Sequence, residues 1–352
     1  MSLAPSKKFH LPWHQHEYYW ISLYPRNADF SAGLLAVLER MGLKRFSDGA
    51  MAVKAPRDWK AVWSNLCSEL ENIHELSEVE IAISPGAEKP WQGLVHKQTP
   101  EEISVLADSL WLGDALLEGR IMCYLQPVVC ARDQVFGYES FARAQAPDGS
   151  IISADKIISA ARALGIEHMI DRHLQVQAIK TFVSSAFNGF LFVNFLPGFI
   201  QRPDIYLEGL SETVKTYNVI AKHIVLDFTK SETPRDMSHL KNVCDYARSC
   251  GYSIALDDIE SVERARDLIS NVKPDFVKID MSLVHAIADP NKRKTIRDII
   301  ELARASGCAA IGEGVETEEI YDALKTLGLE LFQGYLFSPP VPVEAAMKKS
   351  AV

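Results

Sequence analysis

The sequence predicts an α/β protein, a (β/α)8 barrel of the TIM type preceded by a small α/β domain. Three observations carry that expectation. The C-terminal two-thirds of the chain alternates short β-branched and aromatic runs with helix-like stretches, the pattern of a parallel sheet with crossover helices. Each run ends in an acid, an amide or a lysine, and such a barrel gathers the C-terminal ends of its strands around one mouth. All six tryptophans fall in the first 111 of 352 residues, a compositional break that separates an N-terminal domain, 1–98, from the barrel, 99–352.

The elements follow in order. EYYWISLYP (17–25) predicts a strand, SAGLLAVLERMGL (31–43) a helix and GAMAVKAP (49–56) a strand. DWKAVWSNLCSELENI (58–73) predicts a helix and EVEIAISPG (78–86) a strand. The stretch from Gly86 to Gln98 closes this module. TPEEISVLADSLWLGDALLEG (99–119) predicts one helix, with Thr99 and Glu102 as a capping box. It leads into MCYLQPVV, the first barrel strand. Then come GYESFAR with Glu139, FLFVNF with Asn194, HIVLDFTK with Asp227, and SIALDD with Asp257 and Asp258. DFVKID with Lys278 and Asp280, AAIGEGVE with Glu313, and FQGYLF with Gln333 complete the series.

Composition narrows the function. With 47% hydrophobic residues the chain can bury a sizeable core, and a net charge of -9 argues against binding long nucleic acid, which wants a basic face. A small anionic ligand held through metal ions remains compatible with that charge. No run of about 18 apolar residues is present, so no membrane span is expected. The N-terminus lacks the layout of a signal peptide. Cys67, Cys123, Cys130, Cys244, Cys250 and Cys308 form no C-x-x-C pair and read as buried free thiols of a cytoplasmic protein. His10, His14 and His16 lie close together, but with no acid or thiol nearby they read as a polar-aromatic tail before a metal site. Gly312-Glu313-Gly314 lacks the context of a phosphate loop and reads as a tight strand end.

Several carboxylates converging on one mouth repel one another unless a divalent cation neutralises them. In order and identity these motifs resemble the EAL domain family, the bacterial cyclic di-GMP phosphodiesterases, over about Leu106 to Pro342. Tyr124-Leu125-Gln126-Pro127 is similar to the family's opening strand, and Glu139-Ser140-Phe141-Ala142-Arg143 stands where its E-A-L-x-R motif falls. Asn194, Asp257-Asp258, Lys278-Ile279-Asp280, Glu313-Gly314-Val315-Glu316-Thr317 and Gln333-Gly334-Tyr335 match further motifs.

The resemblance implies metal-dependent opening of cyclic di-GMP to linear pGpG at two Mg²⁺ or Mn²⁺ ions. Such ions acidify a bridging water, neutralise phosphate oxygens, and take carboxylate and amide ligands. By that resemblance Glu139, Asn194, Asp227 and Asp257 would hold one ion, and Asp257, Asp258 and Glu313 the second. Lys278 would position the attacking water, with Gln333 nearby, so that Lys278, Glu313 and Asp258 form the catalytic group. Arg143 would meet a substrate phosphate and Gln126 a guanine. The resemblance also admits a homodimer through the barrel, and the N-terminal module admits a protein partner.

Each residue has a plainer reading. Glu139 alone could be a paired barrel acid, and Asp257-Asp258 a strand end capping the next helix. Lys278 and Asp280 share one side of a strand and could form a structural ion pair. Asn194 could bond a loop backbone, Arg143 a surface acid, and the two glutamines could be polar rim. Jointly these readings weaken, since eight coincidences would have to fall in family order.

Three departures from the family pattern bear on activity. Asp227 stands where the family has a glutamate, one methylene and about 1.5 Å longer, and misplacements of about 1 Å can lower a rate roughly 10²-fold. Lys230 reverses the charge of a family glutamate that supports the loop after the fifth strand. That loop, Asp257-Asp258-Ile259-Glu260-Ser261-Val262-Glu263, has lost two glycines and their access to positive φ. Lys230 could pair with Glu260 or Glu263 instead, or be solvated. Beside hydrolysis the sequence therefore leaves open a catalytically weak or inactive barrel, acting as a cyclic di-GMP receptor or a protein-interaction module.

Overall fold

The structure is a computed structural model that describes residues 16–26, 29–72, 76–86, 90, 96–130, 134–185, 187–195, 200, 202–228 and 237–350, with side chains to 347. Lys230, His10, His14, Trp13 and Trp91 lie outside the described residues, so the suggested partners of Lys230 and the histidine group are not addressed by it. His16 is exposed, with its ring edge-on to Tyr19 at 6.0 Å. The chain divides into two compact units, Met1–Ile121 with Ala144–Glu167, and Met122–Arg143 with His168–Val352.

In the first unit, β1 (Tyr18–Pro25), α1 (Ala32–Arg40), β2 (Lys44–Arg45), β3 (Met51–Pro56), α2 (Lys60–Asn72) and β4 (Val79–Pro85) follow a βαββαβ order. The four strands form one sheet in the order β2-β3-β1-β4, and every pairing is antiparallel. β1 lies at the centre and is buried from Tyr19 to Tyr24, which explains its unbroken apolar and aromatic run. Ser31 starts α1 by accepting a hydrogen bond from the Leu34 amide. The stretch predicted as one helix over 99–119 is two, α3 (Pro100–Ser109) and α4 (Trp111–Leu117), joined at Leu110. The capping box is present: Thr99 Oγ1 accepts from the Glu102 amide, and Glu102 accepts from the Thr99 amide at 2.8 Å. Trp63 is buried against α3 and donates to Ser104 Oγ at 2.9 Å.

The barrel begins with β5 (Ile121–Cys130) and β6 (Val135–Gln145), whose last two residues pair with β7 (Ile151–Ile152); that pairing and α5 (Ala154–Leu164) belong to the first unit. α6 (Glu167–Ser184), β8 (Phe190–Phe195), α7 (Pro203–Thr216), β9 (Ile224–Phe228), α8 (Met237–Ser249) and β10 (Ser253–Ile259) continue the alternation. So do α9 (Val262–Val272), β11 (Phe276–Ile279), α10 (Met281–His285), α11 (Pro290–Ala305), β12 (Ala309–Gly312), α12 (Glu318–Thr326) and β13 (Leu331–Phe332). β14 (Val341–Pro342) and α13 (Val343–Ser350) end the described chain.

From β6 through β8 to β13 all neighbours pair in parallel, and β5 closes the barrel by pairing with both β13 and β6. β5 itself runs against the others, antiparallel to β13. An all-parallel sheet is thus corrected at this strand, and the reason is local. Only residues 131–134 separate β5 from β6, and so short a connection makes a hairpin, whereas a parallel crossover needs a dozen residues or more. A large apolar cluster made by strands and outer helices surrounds the barrel, with Leu226, Ile254, Val277, Leu268, Ile296 and Ile299 among its fully buried members. All six cysteines are free, with Cys244 and Cys308 buried and the other four half-buried. Among the described residues no helix is long and apolar enough to cross a membrane.

Candidate active site

A single apolar layer inside the barrel sets the position of the polar residues. Val128, Phe192, Val225, Ala255, Phe276, Ile311 and Leu331, one from each of seven strands, pack together as its floor. Side chains on a strand return to the same face every second residue. Two residues beyond each floor position stand Asn194, Asp227, Asp257, Lys278, Glu313 and Gln333. On the reversed β5 the count runs backwards, from Val128 to Gln126. On β6 the corresponding floor position is Gly137, with Glu139 two residues on; a Cβ at Gly137 would lie 2.4 Å from the Phe190 carbonyl oxygen of β8. These eight predicted residues are therefore one ring of the barrel, next above its apolar floor.

Lys278 stands at the centre of that ring. Its Nζ lies 2.9 Å from Glu139 Oε2, 3.0 Å from Asp227 Oδ2, 2.8 Å from Glu313 Oε1 and 3.4 Å from Asp257 Oδ1. The ammonium is 1% exposed, Asp227 0% and Glu139 3%, so the ions face one another with little water between them. Gln333 Nε2 donates to Glu139 Oε2 at 2.8 Å and to Gln126 Oε1 at 3.2 Å. Gln126 in turn donates to the Ser338 carbonyl at 3.0 Å. The two glutamines are thus part of a buried chain of hydrogen bonds running to the acids, and the reading of an ordinary polar rim fails for both.

Asp257 and Asp258 are adjacent, and on a regular strand they would point to opposite faces. The pairing of β10 with β11 shifts register between Leu256 and Ile259, and Asp258 takes φ +56°, a left-handed conformation that aspartate tolerates better than most residues. This bulge brings both carboxylates to one place: Asp257, Asp258 and Glu313 each offer an oxygen within 4.8 Å of the others. The Asp258 amide donates to Asp257 Oδ1 at 2.9 Å and holds the turn. Neither aspartate caps the next helix. Ser261 does so, its hydroxyl accepting from the Arg264 amide, and α9 starts at Val262. Among residues 259–263 no positive φ is required, which explains how this loop folds without its two glycines.

Other predicted residues are engaged differently. Asn194, in register with Asp227 across β8 and β9, donates to the Ser140 carbonyl at 3.3 Å. Arg143 donates to the Ala142 carbonyl at 2.8 Å, with its guanidinium 5.6 Å from the Tyr124 ring centre and 6.0 Å from that of Phe141. Asp280 is not the partner of Lys278: it N-caps α10, accepting from the Ser282 amide at 2.8 Å. The shorter Asp227 still reaches the cluster, at contact distance from Lys278. Ser338 and Gly137 were not singled out in the sequence. The signal that could have found Gly137 was its place two residues before Glu139.

The electrostatics follow from burial. Burial pushes the carboxyls of Asp227 and Glu313 well above the ordinary range; Lys278 opposes that shift, while Asp257 and Glu139 add to it. Burial alone would lower Lys278, but the surrounding carboxylates outweigh it and hold the amine well above its usual value. Lys278 is therefore an ammonium at any working pH, able to donate and not to accept a proton.

The donor set suits a hard divalent cation, since carboxylate and amide oxygens make up nearly all of it. Among the described residues two buried acceptor atoms, Asp227 Oδ1 and Gln333 Oε1, have no hydrogen-bond partner. Buried oxygens left so are costly, at about 1–3 kcal/mol each, unless something electropositive meets them. One ammonium against four contacting carboxylates leaves net negative charge for a cation to neutralise.

Comparison with known proteins agrees with this architecture. The model of the EAL domain matches residues 110–340. Cyclic di-GMP phosphodiesterase PdeL of Escherichia coli (strain K12) is 30% identical over 255 residues, covering 70% of this chain and 67% of that protein. Probable cyclic di-GMP phosphodiesterase PdeG of the same organism is 29% identical over 251 residues, 69% of this chain and 47% of its own length. This chain thus spans about two-thirds of one relative and about half of the other.

Among solved structures, a standalone versatile EAL protein from Vibrio cholerae O395, in its c-di-GMP bound form, is 27% identical with a TM-score of 0.57. That match covers 63% of this chain and 93% of the other. The EAL enzyme Bd1971 in its cAMP bound form covers 95% of this chain and 94% of its own at a TM-score of 0.64, and its 17% identity makes that a likeness of fold alone. A family match of this extent, over a barrel whose inner ring carries the family's motifs in order, makes the chain a member of the EAL domain family.

Proposed function

We propose that this protein hydrolyses cyclic di-GMP to linear pGpG in bacterial second-messenger signalling, in a divalent-metal-dependent reaction in the cytoplasm. The observation that carries the reading is the Lys278 ammonium surrounded by Glu139, Asp227, Asp257 and Glu313, beside the Asp257–Asp258–Glu313 triad. Hydrolysis adds a water oxygen to phosphorus, breaks one P–O3′ bond and leaves a proton on the released 3′ oxygen. Lys278, held protonated, orients the water by donating to its oxygen and does not remove its proton. Glu313, paired with that ammonium at 2.8 Å, and Asp258 beside it complete the catalytic group. Arg143 takes a phosphate, Gln126 a guanine edge, and Gln333 fixes Glu139.

Glu139, Asn194, Asp227 and Asp257 would hold one Mg²⁺ or Mn²⁺, and Asp257, Asp258 and Glu313 a second. When bound, such ions supply an acidified water and neutralise phosphate oxygens. The functional division we assign is 1–98, a regulatory or partner-binding module, and 99–352, the barrel, with a homodimer through the barrel as a further proposal. The deciding experiment is chromatography of cyclic di-GMP incubated with the protein and Mn²⁺, beside an Asp257→Asn control. Linear product from the parent protein alone is expected, and its absence with Mg²⁺ and with Mn²⁺ sinks the reading.

A second reading, a cyclic di-GMP receptor without turnover, draws on the ion pairs of Lys278 with two of the proposed metal ligands, Glu139 and Asp227. Nucleotide binding that persists in chelator, with no product, would favour it. No nucleotide binding at all would leave a protein-interaction module.

A further inference from the structure

We infer that His285 is a positioning residue of this site: its imidazole Nε2–H holds the Gly314 carbonyl and so fixes the turn from which Glu313 reaches the ring. The inference rests on the metal-dependent reading above and deepens it.

The turn after β12 hangs between its two neighbouring strands. The Glu313 amide donates to the Ile279 carbonyl of β11 at 3.2 Å, and the Val315 amide to the Gln333 carbonyl at 3.0 Å. The Val315 carbonyl accepts from the Leu336 amide at 3.0 Å. Between these backbone bonds the Gly314 carbonyl lies 2.9 Å from His285 Nε2. A carbonyl oxygen only accepts, so Nε2 carries the hydrogen. Glu316 Oε1, 3.8 Å from the same nitrogen, favours the hydrogen there. Of these four anchors only that of His285 comes from a side chain, so it is the one a substitution can remove.

The anchor has a firm base. His285 ends α10, which follows β11 at once, so the strand that carries Lys278 also carries the helix that holds Gly314. Asp280 caps α10, and Leu283 and Val284 are buried in the apolar cluster. Gly314 takes φ +64°, and α10 packs straight onto it: a Cβ there would lie 2.6 Å from Met281 Cβ and 3.0 Å from His285 Nε2. A glycine peptide rotates more freely than any other, so its orientation depends on what holds its carbonyl. The next residue back is Glu313, whose Oε1 lies 2.8 Å from Lys278 Nζ and which offers an oxygen within 4.8 Å of those of Asp257 and Asp258. Contacts that orient such a group from behind typically carry about 10–100-fold in metal affinity or activity, and His285, acting through a peptide, belongs at the lower end.

The test compares the full chain as parent, His285→Leu and His285→Gln, in equilibrium dialysis against Mn²⁺ and in cyclic di-GMP turnover at saturating Mn²⁺. Glutamine keeps an N–H donor at about the reach of Nε2, and leucine has none. His285→Leu should weaken Mn²⁺ binding and lower kcat, each by about tenfold, with KM nearly unchanged because Arg143 and Gln126 are untouched. His285→Gln should restore both values to near those of the parent. Parental Mn²⁺ affinity in His285→Leu, a His285→Gln variant as impaired as His285→Leu, a loss confined to KM, or a parent that binds no Mn²⁺ would each overturn the inference. If His285→Leu loses cooperative unfolding, His285→Asn, whose amide falls one methylene short of that of glutamine, takes its place and has to show the same loss. Product is scored separately from binding. The expected order of Mn²⁺ affinities without linear product removes the hydrolase reading and leaves the positioning role, whereas turnover with three equal affinities does the reverse.

Discussion

Replacing Asp258 by glycine should stabilise the metal-free protein and abolish its stabilisation by Mn²⁺. Asp258 sits at φ +56°, where a side chain costs about 1 kcal/mol and glycine does not pay that strain. Its carboxylate also lies within 4.8 Å of oxygens of Asp257 and Glu313. At an effective dielectric of about 20, a fully ionised pair at that distance repels by roughly 3.5 kcal/mol. Protonation of Glu313, which burial favours, the half-exposed setting and the other contacts of Asp258 offset this repulsion, so relief of strain is the part that remains. It gives Asp258→Gly about 1 kcal/mol in chelator, a Tm higher by about 2–4 °C for a domain of this size. Asp258→Asn keeps a residue that tolerates positive φ and removes the charge, so it should lack this gain. Adding Mn²⁺ to about 100 times its dissociation constant should stabilise the parent by about 2.7 kcal/mol and neither variant by as much, reversing the order. Differential scanning fluorimetry with chelator and with Mn²⁺ measures both. A lower Tm for Asp258→Gly in chelator would refute the strain argument, and an undiminished Mn²⁺ response would refute the assignment of Asp258 as a ligand.

Three other outcomes are expected. Gly137→Ala should lose about 3 kcal/mol in urea denaturation, because its Cβ would meet the Phe190 carbonyl at 2.4 Å and a backbone contact has no rotamer to relieve it; a loss under about 0.5 kcal/mol would contradict the close approach of β6 and β8. Burial lowers His173 from its ordinary 6.5 to about 4, with Lys180 adding to the shift, so the unfolded chain takes up the proton first. The stability this contributes is present above about pH 6.5 and is lost as pH falls towards 4, by up to about 3 kcal/mol; in paired denaturation curves His173→Gln should lose less over that window, and parallel curves would rule the effect out. Asp227→Glu restores the family's residue but adds a methylene at a position with 0% exposure, and should lower stability by about 1–3 kcal/mol without tightening Mn²⁺ binding. A stable variant that binds Mn²⁺ more tightly would show instead that Asp227 is too short.

Much of the barrel was legible because its signals are local. The alternation of apolar runs and helices, the spacing of two between floor and ring residues, and the cap at Thr99–Glu102 each lie within a few residues of sequence. Asn194, Asp227, Lys278, Glu313 and Gln333 could therefore be picked out as strand-end groups. The direction of β5 was legible in principle too, from the four residues before β6. It was overridden by the regularity of the strands that follow.

The rest was decided by contacts that no local pattern carries. Lys278 meets Glu139 across 139 positions, and Gln126 bonds the carbonyl of Ser338 across 212, so which polar groups are partners depends on barrel closure. Two neighbouring aspartates share a face only because β10 shifts register against β11 and Asp258 turns to positive φ, which alternation alone forbids. The loop that had lost its glycines is regular for the complementary reason: the left-handed turn falls on Asp258, ahead of the loop, and Ser261 caps the helix at once. Sequence by itself determined the residues of the ring and their order. Tertiary structure decided their pairing, because charge, burial and hydrogen bonding in the ring are properties of eight strands brought together and of none alone.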